Sequence, residues 1–512
     1  MTGFESLLGV LLVAVVLAAL ARRMGAPYPA FLALGGAVLA FVPGAPKFTI
    51  DPAVALALFV APVLLDAAYD SSPRDLKDYW VPVASLAVVS VALTTFAVAY
   101  VARMLVPGMP WAAAVTLGAI VSPPDAAAAM AVLKQLRPPH RILTILSGES
   151  LLNDASALLI YRLAVGAVAM QAFTLGSLGP TLLLVVVGSI VVGPVLGWLM
   201  LRVTNAVEDV PTAIILQFIS TFGVWIIADR LGLSSVLTMF CFAVFVARRA
   251  PVRTPARVRL PSYAVWDTAV FLLNVLAFVF IGLQVRPILA ALDPDVRMQY
   301  LRFAGLVLLT VITARICWVL LHNGVVLTKN RLFGHRPKRP GQPPPTFAGG
   351  LIISWAGMRG IITLAAALAL PDGFPFRDLI VLTAFAVVFG TLVLQGLTLK
   401  PLIRVLRLED DDPVGREVEA ARERALEAAL STLENDRSPA AEAVRLELSA
   451  HLGAHAASGE EVGEAHASHE DVHRLALQAA RRTVLAMRDR DEIGDDAFHR
   501  LEEELDRVEV GI

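Results

Sequence analysis

The chain has 512 residues, 57% of them hydrophobic and only 17% charged, with a mean hydropathy of +0.69; a soluble domain is roughly half apolar and a quarter charged, so this composition excludes one. The formal net charge of −1 singles out no charged partner such as nucleic acid, because the charges are segregated into loops and a C-terminal tail. Cys241 and Cys317 both lie in apolar runs, so there is no disulfide framework and no CxxC-type metal spacing.

A helix needs roughly 20 apolar residues to cross a hydrocarbon core about 30 Å thick. About thirteen such stretches precede residue 405, with limits near 4–21, 28–44, 51–69, 79–106, 111–136, 141–171, 178–203, 210–229, 234–248, 262–285, 301–327, 346–371 and 378–404. The expected class is therefore an all-α polytopic membrane protein, with residues 1–404 as membrane domain and 405–512 as a helical cytoplasmic tail. The first stretch is followed by Arg22 and Arg23, with no basic segment before it; it reads as a retained span inserted N-terminus outward rather than a cleaved signal. Lys and Arg gather in the loops after odd-numbered stretches, among them Arg74, Lys77, Arg202 and the runs from Arg248 to Arg259 and from Lys329 to Arg339. By the positive-inside rule this places the N-terminus outside and the tail in the cytoplasm.

The third stretch carries Asp66 near its cytoplasmic end, where an acid draws cations into an inner funnel or is merely solvated. The fifth is interrupted by Ser122-Pro123-Pro124-Asp125, and the twelfth by Trp355-Ala356-Gly357-Met358-Arg359-Gly360. Apolar helices broken at corresponding places in two halves point to a transport site. These two lie seven stretches apart and so run in opposite directions, as inverted repeats of stretches 1–6 and 8–13 require. The sixth stretch holds Glu149, Ser150, Asn153 and Asp154 at its midpoint, with Ser150 and Asp154 on one helical face and Glu149 and Asn153 on the adjoining one.

Each ionisable group at that depth costs roughly 2.5–3.5 kcal/mol to insert, which makes it a functional candidate. The Pro123-Pro124 pair frees backbone carbonyls, tolerated only where they line a cavity or meet other groups. Carbonyl, carboxylate and hydroxyl oxygens suit a dehydrated monovalent cation, and the lack of a Cys or His cluster at this depth argues against a soft metal. Burial favours the protonated carboxyl, so a proton and a cation compete for Asp154, which is the minimal physics of antiport. Asp125 either joins that site or caps the half-helix that follows it. Arg359 needs a counter-charge, and Glu149 is expected to supply it; Arg162 and Arg315 lie at depths compatible with snorkelling or structural pairing.

These motifs resemble a known family. GESLLND at 148–154, PPDAAAAMAVLKQL at 123–136, PVLLDAA at 62–68, WAGMRGIITLAAALALP at 355–371 and LVLQGLTLKPLI at 392–403 are similar to the bacterial NhaP-like branch of the monovalent cation:proton antiporters, as is the tail segment at 490–506. The resemblance implies exchange of Na⁺, Li⁺ or K⁺ for H⁺ across the bacterial inner membrane. It also implies an Asn153-Asp154 pair typical of electroneutral members, Ser150 and Asp154 as ion ligands, a Glu149–Arg359 ion pair, and a homodimer embedded in lipid whose core moves like an elevator. Many members read Thr-Asp-Pro at the first break; here Pro124 precedes Asp125, so no threonine hydroxyl is offered there. No enzymatic activity, cofactor or resident metal is expected.

The tail is rich in Ala, Glu, Arg and Leu at helical spacing and too polar for the bilayer. Within it His469-Glu470-Asp471-Val472-His473 matches the zinc-protease HExxH spacing, but its neighbours are a Gly/Ala/Ser-rich stretch with no cleft-forming apolar sequence. A solute transporter with a larger pocket is the rival reading, and a membrane hydrolase the rival from another class; the latter lacks a nucleophile, base or metal cluster at one depth.

Overall fold

The computed structural model describes residues 2–24, 26–43, 51–69, 73–136, 138–170, 175–207, 209–254, 256–334 and 344–408, with single positions at 416 and 430. In chain order the helices are α1 (Thr2–Arg23), α2 (Tyr28–Ala40), α3 (Pro52–Tyr69), α4 (Pro73–Asp78), α5 (Trp80–Ala84), α6 (Val91–Leu105), α7 (Trp111–Val121), α8 (Ala126–Leu136) and α9 (His140–Met170). They continue as α10 (Leu175–Thr204), α11 (Val210–Arg230), α12 (Ser235–Arg253), α13 (Ala256–Leu283), α14 (Val285–Ala290), α15 (Pro294–Phe333), α16 (Phe347–Trp355), α17 (Ile361–Leu368) and α18 (Arg377–Leu406). The chain divides into two units, Met1–Asp411 and Asp412–Ile512. The expected helical tail and its HExxH match lie outside the described residues.

Local chemistry sets the helix starts. Asp209 accepts from the Thr212 amide, Ser234 from Leu237 and Thr346 from Gly349, each satisfying an orphan amide of a first turn. Proline at the first position of α15, after Asp293, needs no partner there. Residues 210–253 form two helices separated by a turn at Leu231–Ser234 in which Gly232 takes a positive φ of 69°.

Every predicted stretch falls on one helix, one continuous series or one broken pair. By length and apolarity eight of the described helices qualify to cross a membrane, with α2 and α7 as shorter apolar helices. The chain is a multi-span membrane protein, and every regular element among the described residues is helical. Helices α7 and α8 have 11 residues each, so neither crosses alone; end to end the pair reaches about 33 Å at 1.5 Å per residue, the thickness of the hydrocarbon core. One stretch read as a plain helix is not: between α5 and α6 the backbone makes a π-turn at Ser85–Ser90, a form often found at functional sites.

Large apolar side chains such as Leu183, Leu184, Ile219, Leu309 and Leu321 are exposed, a surface that suits lipid and not water. Inside, the larger apolar cluster joins α1, α2, α6–α8, the start of α9 and α15–α18. The second joins α3 and α10–α12 with Leu151 of α9 and the first half of α13. Helix α9 lies between the two clusters: Ile142, Ile145 and Leu146 are buried in the larger, Leu151 in the second, and Leu158 packs against both, so Glu149 and Asp154 stand where the clusters meet. Close backbone approach holds α2 against α13: a Cβ on Gly36 would strike the Val279 carbonyl, and one on Gly282 the Ala33 carbonyl, the small-residue packing expected between membrane helices.

Candidate cation site at the crossing of the broken helices

The two broken helices meet where each loses its regular hydrogen bonds. Pro123 and Pro124 carry no amide hydrogen, so the ladder fails after α7, and the free Asp125 amide donates across the gap to the Met358 carbonyl at 2.6 Å. Charges then compensate the exposed helix ends. Arg359, 1% exposed, donates through Nε to Val121 O at 3.0 Å, through a terminal nitrogen to Ser122 O at 3.1 Å and through the other to Gly357 O. It thus caps the C-terminal ends of α7 and α16 together, while its own amide donates to Thr391 Oγ1 at 3.0 Å.

Asp125 does the converse job at the N-terminal ends. Its carboxylate accepts from the Ala127 amide at 2.9 Å, the first turn of α8. It also lies against Gly360, the residue before α17, so closely that a Cβ there would collide with it.

The expected Glu149–Arg359 pair is corrected by these contacts. Glu149 is bound by Arg315 of α15 in a bidentate pair, with N–O distances of 2.5 and 2.8 Å and both side chains 2% exposed; Arg315 also donates to Ile353 O at 3.1 Å. Arg315 is thus paired and does not snorkel. The reason is geometric: three backbone carbonyls at the breaks satisfy Arg359 in place, whereas Arg315, on an unbroken helix, meets one carbonyl, Ile353 O, and takes its counter-charge from the Glu149 carboxylate. Gly357 separates the two guanidinium groups, for its Cβ would meet both Arg315 and Arg359. A sequence signal existed, since Arg315 interrupts the apolar run TVITARICWVLL.

Asp154 and Asn153 are buried on α9. Ser150, Asp154, Pro124 and Asp125 line one cavity of about 40 Å³, together with Asn274 of α13 and Gly360 and Thr363 of the second break. Asn274 and Thr363 carried no sequence signal, being ordinary polar residues in apolar helices. Asn153 points elsewhere: its amide donates to the Pro124 carbonyl at 2.7 Å, tying α9 to the first break. Asp66 is not brought to this cavity. It lines a separate one of about 320 Å³, with Tyr69, Arg259 and Asp267. Arg162, about half exposed, donates to Leu233 O at 3.0 Å. No group of three or more His, Cys, Asp or Glu residues with metal-binding geometry occurs among the described residues.

Discontinuous helices crossing beside buried carboxylates, in an all-helical membrane fold, define a secondary transporter rather than an enzyme. The family model described as "Sodium/hydrogen exchanger, transmembrane" matches residues 10–405. The chain belongs to that family and is a cation/proton antiporter, with Na⁺ and H⁺ as its transported ions. It is 32% identical over 425 residues to a protein named as an uncharacterised Na⁺/H⁺ exchanger of Mycobacterium tuberculosis, covering 79% of this chain and 75% of that one. It is 26% identical over 414 residues to a sodium, potassium, lithium and rubidium/H⁺ antiporter of Bacillus pumilus, covering 78% and 61%. Its fold is similar to that of the sodium proton antiporter MjNhaP1 of Methanocaldococcus jannaschii, with a TM-score of 0.60, 17% identity and coverage of 79% and 99%.

Proposed function

We propose that one cation and one proton compete for the Asp154 carboxylate in the crossing cavity, and that this competition is the exchange step. The observation that carries the reading is that Asp154, Ser150, Asp125 and the broken backbone face one cavity of about 40 Å³. A single water needs roughly 10–15 Å³ and a typical organic ligand several hundred, so the space suits a dehydrated monovalent ion and disfavours the solute-transporter reading. Asp154 and the Ser150 hydroxyl supply hard oxygens. Pro124 O spends one lone pair on Asn153 and keeps a second for an ion. Asp125 stays a fixed charge, compensated by the half-helix ends it touches. Only Asp154 then changes state, and the exchange is electroneutral, one cation for one proton. The name of the Bacillus relative supports Na⁺, Li⁺ and K⁺ alike as cargo.

The wider reading has thirteen crossings as inverted six-helix repeats, the N-terminus outside, the 405–512 tail in the cytoplasm and a homodimer in the lipid of the inner membrane. One element, the crossing with α9, moves against the scaffold of α3 and α10–α12.

The test is collapse of a respiration-driven pH gradient in everted vesicles on addition of NaCl, LiCl, KCl or choline chloride, for wild type and Asp154→Asn at matched expression. Collapse by a small cation in wild type alone supports the carrier; equal collapse in both variants ends it. Competition also fixes the pH dependence: below the pH at which the carboxylate titrates, the apparent KM for Na⁺ rises by about tenfold per pH unit. A KM independent of pH would contradict a shared site.

A further inference from the structure

A second cavity, of about 660 Å³, opens between the π-turn segment, α9, α15 and α16. It is much larger than the ion cavity and takes no part in the crossing. Its basic groups are Arg141 at the start of α9 and Lys329 near the end of α15, with Asp78 as the one acidic lining residue; its walls are largely apolar, among them Val81, Val326 and Phe333. Val81 and Phe333 are at the same time exposed on the outer surface, next to exposed Trp80 and Leu332, so the cavity is continuous with a lipid-facing apolar surface; Tyr79 in its lining and Trp80 beside it are aromatic residues of the interfacial type. At its inner end the π-turn is pinned by α15: Trp318 Nε1 donates to Ser85 Oγ at 3.2 Å and His322 lies 3.3 Å from the same hydroxyl.

We propose that this cavity binds an anionic phospholipid of the inner leaflet, its phosphate between Arg141 and Lys329 and an acyl chain along Val81, Val326 and Phe333. The inference rests on the orientation given above, which places the ends of α15 and of the loop before α9 in the cytoplasm. Basic pockets between membrane helices on that side are the sites that take anionic headgroups. The volume lies in the range of small-molecule sites, and the joining of two cationic groups to an apolar wall that faces the bilayer favours a lipid over a soluble anion. The bound lipid would clamp α9 to α15, the two helices that carry Glu149 and Arg315.

The experiment uses the full chain in a neutral detergent and counts bound lipid by native mass spectrometry during titration with phosphatidylglycerol, phosphatidylcholine or inorganic phosphate. Wild type is compared with Arg141→Gln/Lys329→Gln, with Lys329→Gln alone, and with a charge-matched control, Arg202→Gln/Arg302→Gln, outside the cavity. Each basic group near an anionic headgroup is worth about fivefold in affinity. The double variant is therefore expected to lose roughly 25-fold for phosphatidylglycerol and Lys329→Gln about fivefold, with the control unchanged. Equal loss in the control, equal binding of phosphatidylcholine, or displacement of the lipid by inorganic phosphate would overturn the proposal. Lipid counts in detergent do not depend on exchange, so failure of the antiport mechanism and failure of this site are separately visible.

Discussion

Glu149 and Asp154 stand five positions apart on α9, about 7.5 Å along its axis, and both are buried, yet their surroundings are opposite. Glu149 has a complete answer: a bidentate guanidinium that is itself held by a backbone carbonyl. Asp154 faces a cavity beside a second carboxylate. A carboxylate with its counter-charge built into the protein has no reason to take up an ion, whereas one left beside a cavity must be neutralised from outside, by a proton or a cation. The difference separates a structural charge from an exchanging one where the residue types alone do not.

The largest effects should come from crossing that division. Asp154→Asn is expected to reduce exchange to the level of vesicles without the protein while leaving thermal stability in detergent at or above wild type, since it removes a buried acid that has no fixed partner. Arg315→Met should do the reverse. Breaking one side of a buried pair costs on the order of 3–5 kcal/mol, so the melting temperature falls sharply and yield with it, and adding Glu149→Gln should recover part of the loss. If Arg359→Met rather than Arg315→Met showed that rescue, the pairing assigned here would be wrong.

Two smaller changes sharpen the boundary of the exchanging site. Gly360→Ala pushes a methyl group into the Asp125 carboxylate and should weaken cation affinity by roughly tenfold with the fold preserved, because misplacement on this scale disrupts a preorganised site. Asn153→Ala removes the tie from α9 to the Pro124 carbonyl; a buried hydrogen bond is worth about 1 kcal/mol, so an effect of about fivefold on the apparent KM for Na⁺ is expected. An unchanged KM in either variant would show that the break is held rigid without them.

Much of this was legible in the sequence. Long apolar runs force helices in a bilayer, because every amide must find its partner within the segment, and Pro123-Pro124 announced the break by removing two donors. The acids at 149 and 154 were conspicuous in an apolar run, and so were Arg315 and Arg359. The pairing was not legible, because periodicity reports which face of its own helix a residue occupies and nothing about which other helix lies opposite. The π-turn at Ser85–Ser90 was invisible for a similar reason: SLAVVS has the composition of any membrane helix.

By itself, then, the sequence determined the class of protein, the place of the two breaks and the short set of charged residues from which the site is drawn, since solvation in lipid leaves so few alternatives for backbone and charge. Tertiary structure alone decided how those charges are shared. It gave Arg359 to the carbonyls of two helix ends and Arg315 to Glu149, set Asp125 against the starts of α8 and α17, and left Asp154 facing the cavity. That distribution depends on distances between helices far apart in the chain, and electrostatic energy inside a membrane is decided by those distances.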